Sequence, residues 1–166
     1  MSLTGLAMIL ALSIAAGALS WGAVVDIRRY MIPNVVCAAV ALSFLPMAIF
    51  MPPMFLIGGL LTGLAVLVVG VFVFARGWMG GGDVKLLAAT SLWAGPTLFL
   101  PFAIVTSLGA GLLAMLILSP FSRYLPAHPA AATAGPVPIG RQPMPFGVAI
   151  AMGGLWLIVH HFASIR

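Results

Sequence analysis

Charged residues are almost missing from this sequence. Only 5% of its 166 residues are charged and 63% are hydrophobic, whereas about a quarter of an ordinary soluble domain is charged. No soluble fold could bury this much apolar surface, so the chain is predicted to lie in a membrane. Lipid permits only helix bundles or closed barrels, because every backbone polar group must be satisfied internally. The long apolar runs lack the alternation of barrel strands, and they predict an all-α, polytopic membrane protein.

Cysteine and clusters of basic residues are equally scarce. Cys37 is the only cysteine, which excludes an internal disulfide and a cysteine zinc site, and it is expected to be a small packing residue. The net charge is +5, but the Lys and Arg residues are scattered, so nucleic-acid binding is not expected. Residues 1–20 contain no Lys or Arg. Because a signal peptide has a basic first region, the first apolar segment is predicted to be retained.

Six apolar segments predict a six-transmembrane helix bundle, forming one membrane-embedded domain over residues 1–166. A membrane helix needs about 20 apolar residues, and prolines and glycines mark where the segments end. The predicted helices cover about residues 2–25, 35–50, 54–75, 83–94, 98–118 and 146–161, with the main loops at 26–34, 76–82 and 119–145. The fourth segment would rise only about 18 Å. It therefore either continues past Pro96 with a kink or starts below the membrane surface.

The basic residues indicate the orientation of this bundle. Six of the seven lie in or beside the loops at 26–34, 76–82 and 119–145, namely Arg28, Arg29, Arg76, Lys85, Arg123 and Arg141. Cytoplasmic loops of membrane proteins carry an excess of Lys and Arg. These three loops are therefore predicted to be cytoplasmic, and both termini are predicted to lie outside.

Asp26 and Asp83 are the only acidic residues. Asp26 ends the first predicted helix and Asp83 begins the fourth, so both are expected near the cytoplasmic face, where they would meet if these helices packed together. Acids in or near a membrane are costly and mark functional sites. Two close carboxylates can hold one proton between them. The ionised one could deprotonate a water and the protonated one could donate to a peptide carbonyl, with no metal or other cofactor.

Simpler roles are open for the same residues. Asp83 would suit the N-cap of a helix, and Asp26 could pair with Arg28 or Arg29 in a wet loop. The three glycines before Asp83 either let a substrate backbone approach or form a plain flexible loop. Lys85 lies about 200° around a helix from Asp83, so it is either a membrane-surface anchor or a supporting residue of the site.

Three segments resemble the type IV prepilin peptidases, a family of intramembrane aspartic proteases. GGGDVKLLAA resembles the family's GxGDxKL motif, DIRRYMIPN resembles its first-aspartate segment, and MPFG resembles the opening of its last helix. The three occur in the family's order across nearly the whole chain. The matching residues are Asp26, Arg28, Arg29, Ile32, Pro33, Asn34, Gly80, Gly81, Gly82, Asp83, Lys85, Pro145, Phe146 and Gly147.

The resemblance implies a peptidase of the bacterial inner (plasma) membrane that removes the basic leader of a prepilin at the cytoplasmic face. Asp26 and Asp83 match the catalytic pair, and the other matching residues would bind substrate or support the site. The implied partners are the prepilin and the lipid bilayer. Longer members carry an N-terminal segment with paired Cys-x-x-Cys motifs and also N-methylate the new terminus. Nothing precedes the first helix here and Cys37 is alone, so peptidase activity without methyltransferase activity is expected, as in the enzymes of Flp or tight-adherence pili.

Two functions from other classes are alternatives. A small proton-coupled transporter would use Asp26 and Asp83 as a proton relay, although the apolar runs offer few polar residues deeper in the bundle. A non-catalytic subunit of a pilus assembly would use the two acids only to pair with arginines.

Overall fold

The structure, a computed structural model, describes residues 3–119 and 144–165. These residues form five helices and no strand, which confirms the all-α class for the described part of the chain. The helices are α1 (Leu3–Arg29), α2 (Asn34–Phe50), α3 (Pro53–Ala75), α4 (Gly81–Leu118) and α5 (Phe146–Ile165). Most of the predicted loop at 119–145, including Arg123 and Arg141, lies outside the described residues.

Four of the five helices are long and apolar enough to cross a membrane. They are α1, α3, α4 and α5, whereas α2 has only 17 residues. The protein is therefore an all-α membrane protein. Six separate spans are not found in the described part, because the predicted helices 83–94 and 98–118 belong to one element, α4.

The 38 residues of α4 contain a break at Gly95, whose φ of 53° and ψ of −172° are not helical. Pro96 follows, and it has no N–H to continue the helix. The parts of α4 before and after Gly95 are called its first and second arms. They contact α5 in opposite order. On the first arm Thr90 lies beside Gly154 and the later Trp93 reaches His161, whereas on the second arm Phe102 packs on Gly153 and the later Gly109 packs on Ala149. The chain thus reverses at Gly95 and does not continue past Pro96 as a single kinked helix.

Helix α3 packs on α4 through glycines and turns its large side chains outward. Its buried residues are Gly59, Gly63 and Gly70. A Cβ atom on Gly63 would lie 2.6 Å from the Leu92 side chain, and one on Gly70 would lie 2.5 Å from Val84. Small residues let membrane helices approach closely. Most of the large apolar side chains of α3, among them Leu61, Val69 and Phe72, are therefore left exposed to lipid.

Aromatic side chains join α2, α4 and α5 at one end of the bundle. The indole N–H of Trp93 donates to the Val40 carbonyl at 3.0 Å, and Nε2 of His161 lies 2.8 Å from the Trp93 carbonyl oxygen. Phe44 packs against Trp93 edge to face. The reversal at Gly95 is thus held by contacts from two other helices.

Two predicted loops are shorter than expected. Helix α1 continues to Arg29, so the predicted loop at 26–34 shrinks to residues 30–33, because Tyr30 adopts a left-handed φ of 51° that ends the helix. Helix α4 starts at Gly81, so Gly81 and Gly82 lie in its first turn and not in a flexible loop. The sequence suggested that α1 packs directly on α4. In the described part it does not, and each of these two helices packs on α2 and α5 instead.

Candidate active site

Asp26 is buried inside the bundle although it lies in the last turns of α1. Only 3% of its surface is exposed, and its Oδ2 atom accepts a hydrogen bond of 2.8 Å from the backbone N–H of Gly147. Arg28 and Arg29 are exposed on the same helix. The interpretation of Asp26 as one half of an ion pair in a wet loop is therefore wrong, because the carboxylate points inward to a backbone donor.

The donor belongs to the first turn of α5. The chain enters this helix through the buried Pro145, and the helix begins at Phe146 with no acidic residue of its own in the first turn. The free N–H groups of a helix N-terminus favour a negative charge, and Asp26 supplies that charge from α1. A Cβ atom on Gly147 would lie 2.8 Å from Oδ2 of Asp26. Glycine is needed here because any side chain would push the carboxylate away.

Asp83 lies in the first turn of α4 and is partly buried. The N-cap of this helix is Gly80, not Asp83, because the chain already turns helical at Gly81. The carboxylate folds back over the cap, where a Cβ atom on Gly80 would lie 2.8 Å from Oδ2 of Asp83. Gly80 thus lets the backbone lie close to the acid, whereas Gly81 and Gly82 make room for Phe74 and Ile32.

Ile32 lies between the elements that carry the two acids. A Cβ atom on Gly82, next to Asp83, would lie 3.1 Å from Cβ of Ile32, and one on Gly147 would lie 2.7 Å from its Cδ1. Asp26 and Asp83 are close enough to interact electrostatically. The only two carboxylates of the chain therefore converge at one end of the bundle, on either side of Ile32.

Tyr30 directs the short segment that carries Ile32. Its N–H bonds to the Asp26 carbonyl at 2.8 Å, and its positive φ is uncommon for a residue with a side chain. Burial, and next the charge of Asp26, raise the pKa of the Tyr30 phenol. Tyr30 therefore stays a neutral O–H at physiological pH, beside the acids.

Lys85 and Asn34 form a second polar pair nearby. The Lys85 ammonium donates to Oδ1 of Asn34 at 3.1 Å, and Cys37 lies 3.9 Å from the Gly82 carbonyl oxygen. These contacts fasten the start of α2, which Pro33 caps, to the start of α4. Lys85 thus has a partner on α2, on the side of α4 away from Asp83.

The structure brings together five of the residues that the sequence predicted for the site. Asp26, Gly147, Gly80, Gly82 and Asp83 meet at one end, whereas Arg28 and Arg29 stay exposed. Sequence reasoning assigned no role to Tyr30, and it identified Ile32 only as part of the matched Ile-Pro-Asn motif, although both lie inside the segment DIRRYMIPN. Among the described residues no group of three or more His, Cys, Asp or Glu side chains could hold a metal ion.

Comparison with known proteins places the chain in a family. A model of the type IV leader peptidase family matches residues 6–118, which include both aspartates and end with α4. No curated protein and no solved structure matches the chain. Because the matched segment covers well over half of the sequence, the chain belongs to the type IV leader peptidase family.

Proposed function

We propose that this protein is an intramembrane aspartic endopeptidase that removes the basic leader of a Flp-type prepilin at the cytoplasmic membrane face. Asp26 and Asp83 are its catalytic pair. The observation that carries the proposal is their convergence: a chain with only two carboxylates directs both to one end of the bundle, from helices far apart in sequence. Family membership supports the peptidase over a proton-coupled transporter or an assembly subunit.

The surroundings of the two acids support different roles for them. The N–H of Gly147 stabilises the ionised form of Asp26, which suits a general base. Asp83 is near that negative charge and suits the protonated member, since two close carboxylates do not both ionise. In this mechanism Asp26 removes a proton from water while the water oxygen bonds to the scissile carbonyl carbon. Asp83 donates its proton to the carbonyl oxygen.

The tetrahedral intermediate then collapses. The C–N bond breaks, the proton held by Asp26 passes to the leaving amine, and the carbonyl re-forms as a carboxylic acid when its hydroxyl proton returns to Asp83. Both aspartates regain their starting states, so the pair titrates and turns over as a unit.

The membrane arrangement of the proposal uses α4 as two spans joined at Gly95, which gives six in all. The ends of α1 and α3, which carry Arg28, Arg29 and Arg76, then share the cytoplasmic side with both aspartates. Peptide hydrolysis without N-methylation is proposed because the sequence offers Cys37 alone and no paired cysteines.

The test is leader removal from candidate prepilins co-expressed with the protein, scored by the mass of the pilin product. Asp26→Asn and Asp83→Asn should each slow cleavage by about 10²-fold or more, since each removes an acid–base group. Ser13→Ala, an exposed hydroxyl far along α1, is the control and should cleave normally. Wild-type speed in either Asn variant would contradict the catalytic pair. The same spectra report methylation, because an N-methylated product would carry the extra mass of a methyl group.

A further inference from the structure

Two apolar grooves flank α3, one on each side of its contact with α4. The α2–α3 groove, about 530 Å³, is lined by residues that include Asn34, Ala41, Leu64, Lys85 and Ala88. The α3–α4 groove, about 620 Å³, lies between α3 and the two arms of α4. Its lining includes Ala65, Val69, Met79, Leu87 and Phe99. Either groove is wide enough to receive side chains from another helix, so the position of the acids must decide between them.

The face of the first arm that carries Asp83 also lines the α3–α4 groove, through Leu87. Residues four apart lie on the same face of a helix, so Leu87, which lines this groove, follows Asp83 by one turn. Lys85 and Ala88 line the other groove. Lys85 is about 200° around the helix from Asp83, and it is bonded to Asn34 on α2. The α2–α3 groove therefore lies on the opposite side of the helix from the acid.

The α3–α4 groove extends along the full first arm. Met79, directly before the three glycines, lies at the end near the acids, and Pro96 and Phe99 lie at the end near the reversal. The first arm between Asp83 and Gly95 rises about 18 Å. A helix in the groove could thus pack along several turns while its start lies beside Asp83.

The chemistry of the lining selects the occupant. None of the residues that line the α3–α4 groove is charged, and Val69 and Leu61 on its rim are more than half exposed. The groove is therefore open to the bilayer along α3. Its small, exposed Ala65 permits close helix contact, whereas the other groove holds the Lys85 ammonium, which a wholly apolar helix would have to desolvate.

We propose that the α3–α4 groove is the docking site for the apolar transmembrane helix of the peptide substrate, which enters sideways from the lipid. This inference rests on the proposed peptidase function and assigns the substrate's position. The substrate helix starts at Met79, so the peptide bonds just before it lie beside Asp83 and the glycines. Ala65, Val69 and Leu87 determine which helices fit.

A matched pair of substitutions tests the site. Ala65→Trp fills the α3–α4 groove and Ala41→Trp fills the α2–α3 groove with the same side chain. With the full protein in detergent micelles and a peptide of leader plus apolar helix, Ala65→Trp should raise KM about tenfold or more at nearly constant kcat. Such a split is typical of lost ground-state binding. Ala41→Trp should leave KM within about twofold of wild type.

Photocrosslinking gives a second readout that does not depend on tolerance of a tryptophan. A photoreactive amino acid at Val69 should crosslink to the substrate helix, and one at Leu64, equally exposed on the other side of α3, should not. Crosslinking from Leu64 alone, or a KM effect of Ala41→Trp as large as that of Ala65→Trp, would overturn the proposal. Failure of the peptidase function looks different, because wild-type protein would then not cleave the peptide at all.

Discussion

At the scale of the residue, Gly147 joins the start of α5 to the end of α1 through a single hydrogen bond. Its N–H reaches Oδ2 of Asp26 across 121 residues of sequence, and it has no space for a side chain between that carboxylate and Ile32. A hydrogen bond to a charged group contributes roughly 1.5–3 kcal/mol. The position and ionisation of Asp26 therefore depend on the backbone of α5.

Replacement of Gly147 by alanine should impair Asp26, the proposed general base, without removing its carboxylate. The added Cβ pushes Asp26 away from its donor, so kcat should fall by about tenfold or more while KM changes little. The ionised carboxylate also loses stabilisation, so the acid limb of the kcat–pH profile should move to higher pH. Asp83 and the phenol of Tyr30 are the other titratable groups near Asp26, and Arg28 and Arg29 are exposed. The measurement is kcat and KM for leader cleavage across pH.

Two further variants separate the displacement of Asp26 from simple loss of packing around the new methyl group. Ile32→Val removes the Cδ1 atom that lies 2.7 Å from the new Cβ, but it leaves Asp26 in conflict. Gly147→Ala with Ile32→Val should therefore stay slow. Gly154→Ala is the matched control on the same helix, since its Cβ would meet Leu19 at 2.7 Å. It should lower stability and leave the pH profile in place. Recovery of wild-type kcat in the double variant would show that the clash with Ile32, and not the displacement of Asp26, had slowed the enzyme.

The sequence predicted the identity of the acids better than their contacts. Asp26 and Asp83 could be selected because the chain has no other carboxylate, and the glycines and Lys85 could be selected by resemblance. The bond from Gly147 to Asp26 and that from Lys85 to Asn34 depend on how distant helices pack, which no local pattern encodes. Tyr30 was missed because a left-handed residue with a large side chain has no sequence signature.

At the scale of the element, α4 shows where sequence patterns work and where they stop. Gly95-Pro96 was recognised as an interruption because proline ends helices. The contacts that hold the change of direction there were not predicted, because Trp93 and His161 lie on separate helices. Similarly, the charged run after Val25 suggested a loop, yet α1 continues to Arg29 because the backbone ends the helix only at Tyr30.

Gly95→Ala should destabilise the protein through backbone strain alone. The φ of 53° with ψ of −172° is closed to residues with a Cβ atom, while the nearest atom to a new Cβ is 4.0 Å away. The expected cost is about 1–3 kcal/mol, seen as a lower thermal unfolding midpoint in detergent. Gly111→Ala is the control, since Gly111 is inside the second arm with no atom within 4 Å. Equal midpoints for the two variants would mean that the backbone conformation at residue 95 accepts a Cβ atom without strain.

At the scale of the whole molecule, the distribution of side chains in the bundle suits a lipid environment. Glycines of α3 lie inside and its large apolar side chains lie outside, the reverse of a helix in water. Composition alone predicted this environment, because it depends on the sum of the residues and not on their order. The number of crossings depends on where the chain reverses, and composition does not report that.

Labelling of single cysteines should locate both sides of the bundle. In a Cys37→Ala background, Met31→Cys and Trp78→Cys place thiols at exposed sites near the acids, and Thr97→Cys places one just after the reversal. A membrane-impermeant maleimide added to intact cells should label only the cysteine at 97, and inverted vesicles should give the opposite pattern. Labelling of all three from one side would contradict the two-arm arrangement of α4. The Cys37→Ala protein without added cysteines is the blank.

The uncharged turn at Gly95 also governs how the chain enters the bilayer during synthesis. Residues 95–98 read Gly-Pro-Thr-Leu, with no charged loop to be carried across alone, and the first arm is too short to be stable in lipid by itself. The two arms are therefore expected to insert together as a helical hairpin. Asp26 gains its hydrogen bond later than the arms insert, because its backbone donor, Gly147, belongs to α5. The proposed site is therefore complete only after α5 has joined the helices that precede it in the chain.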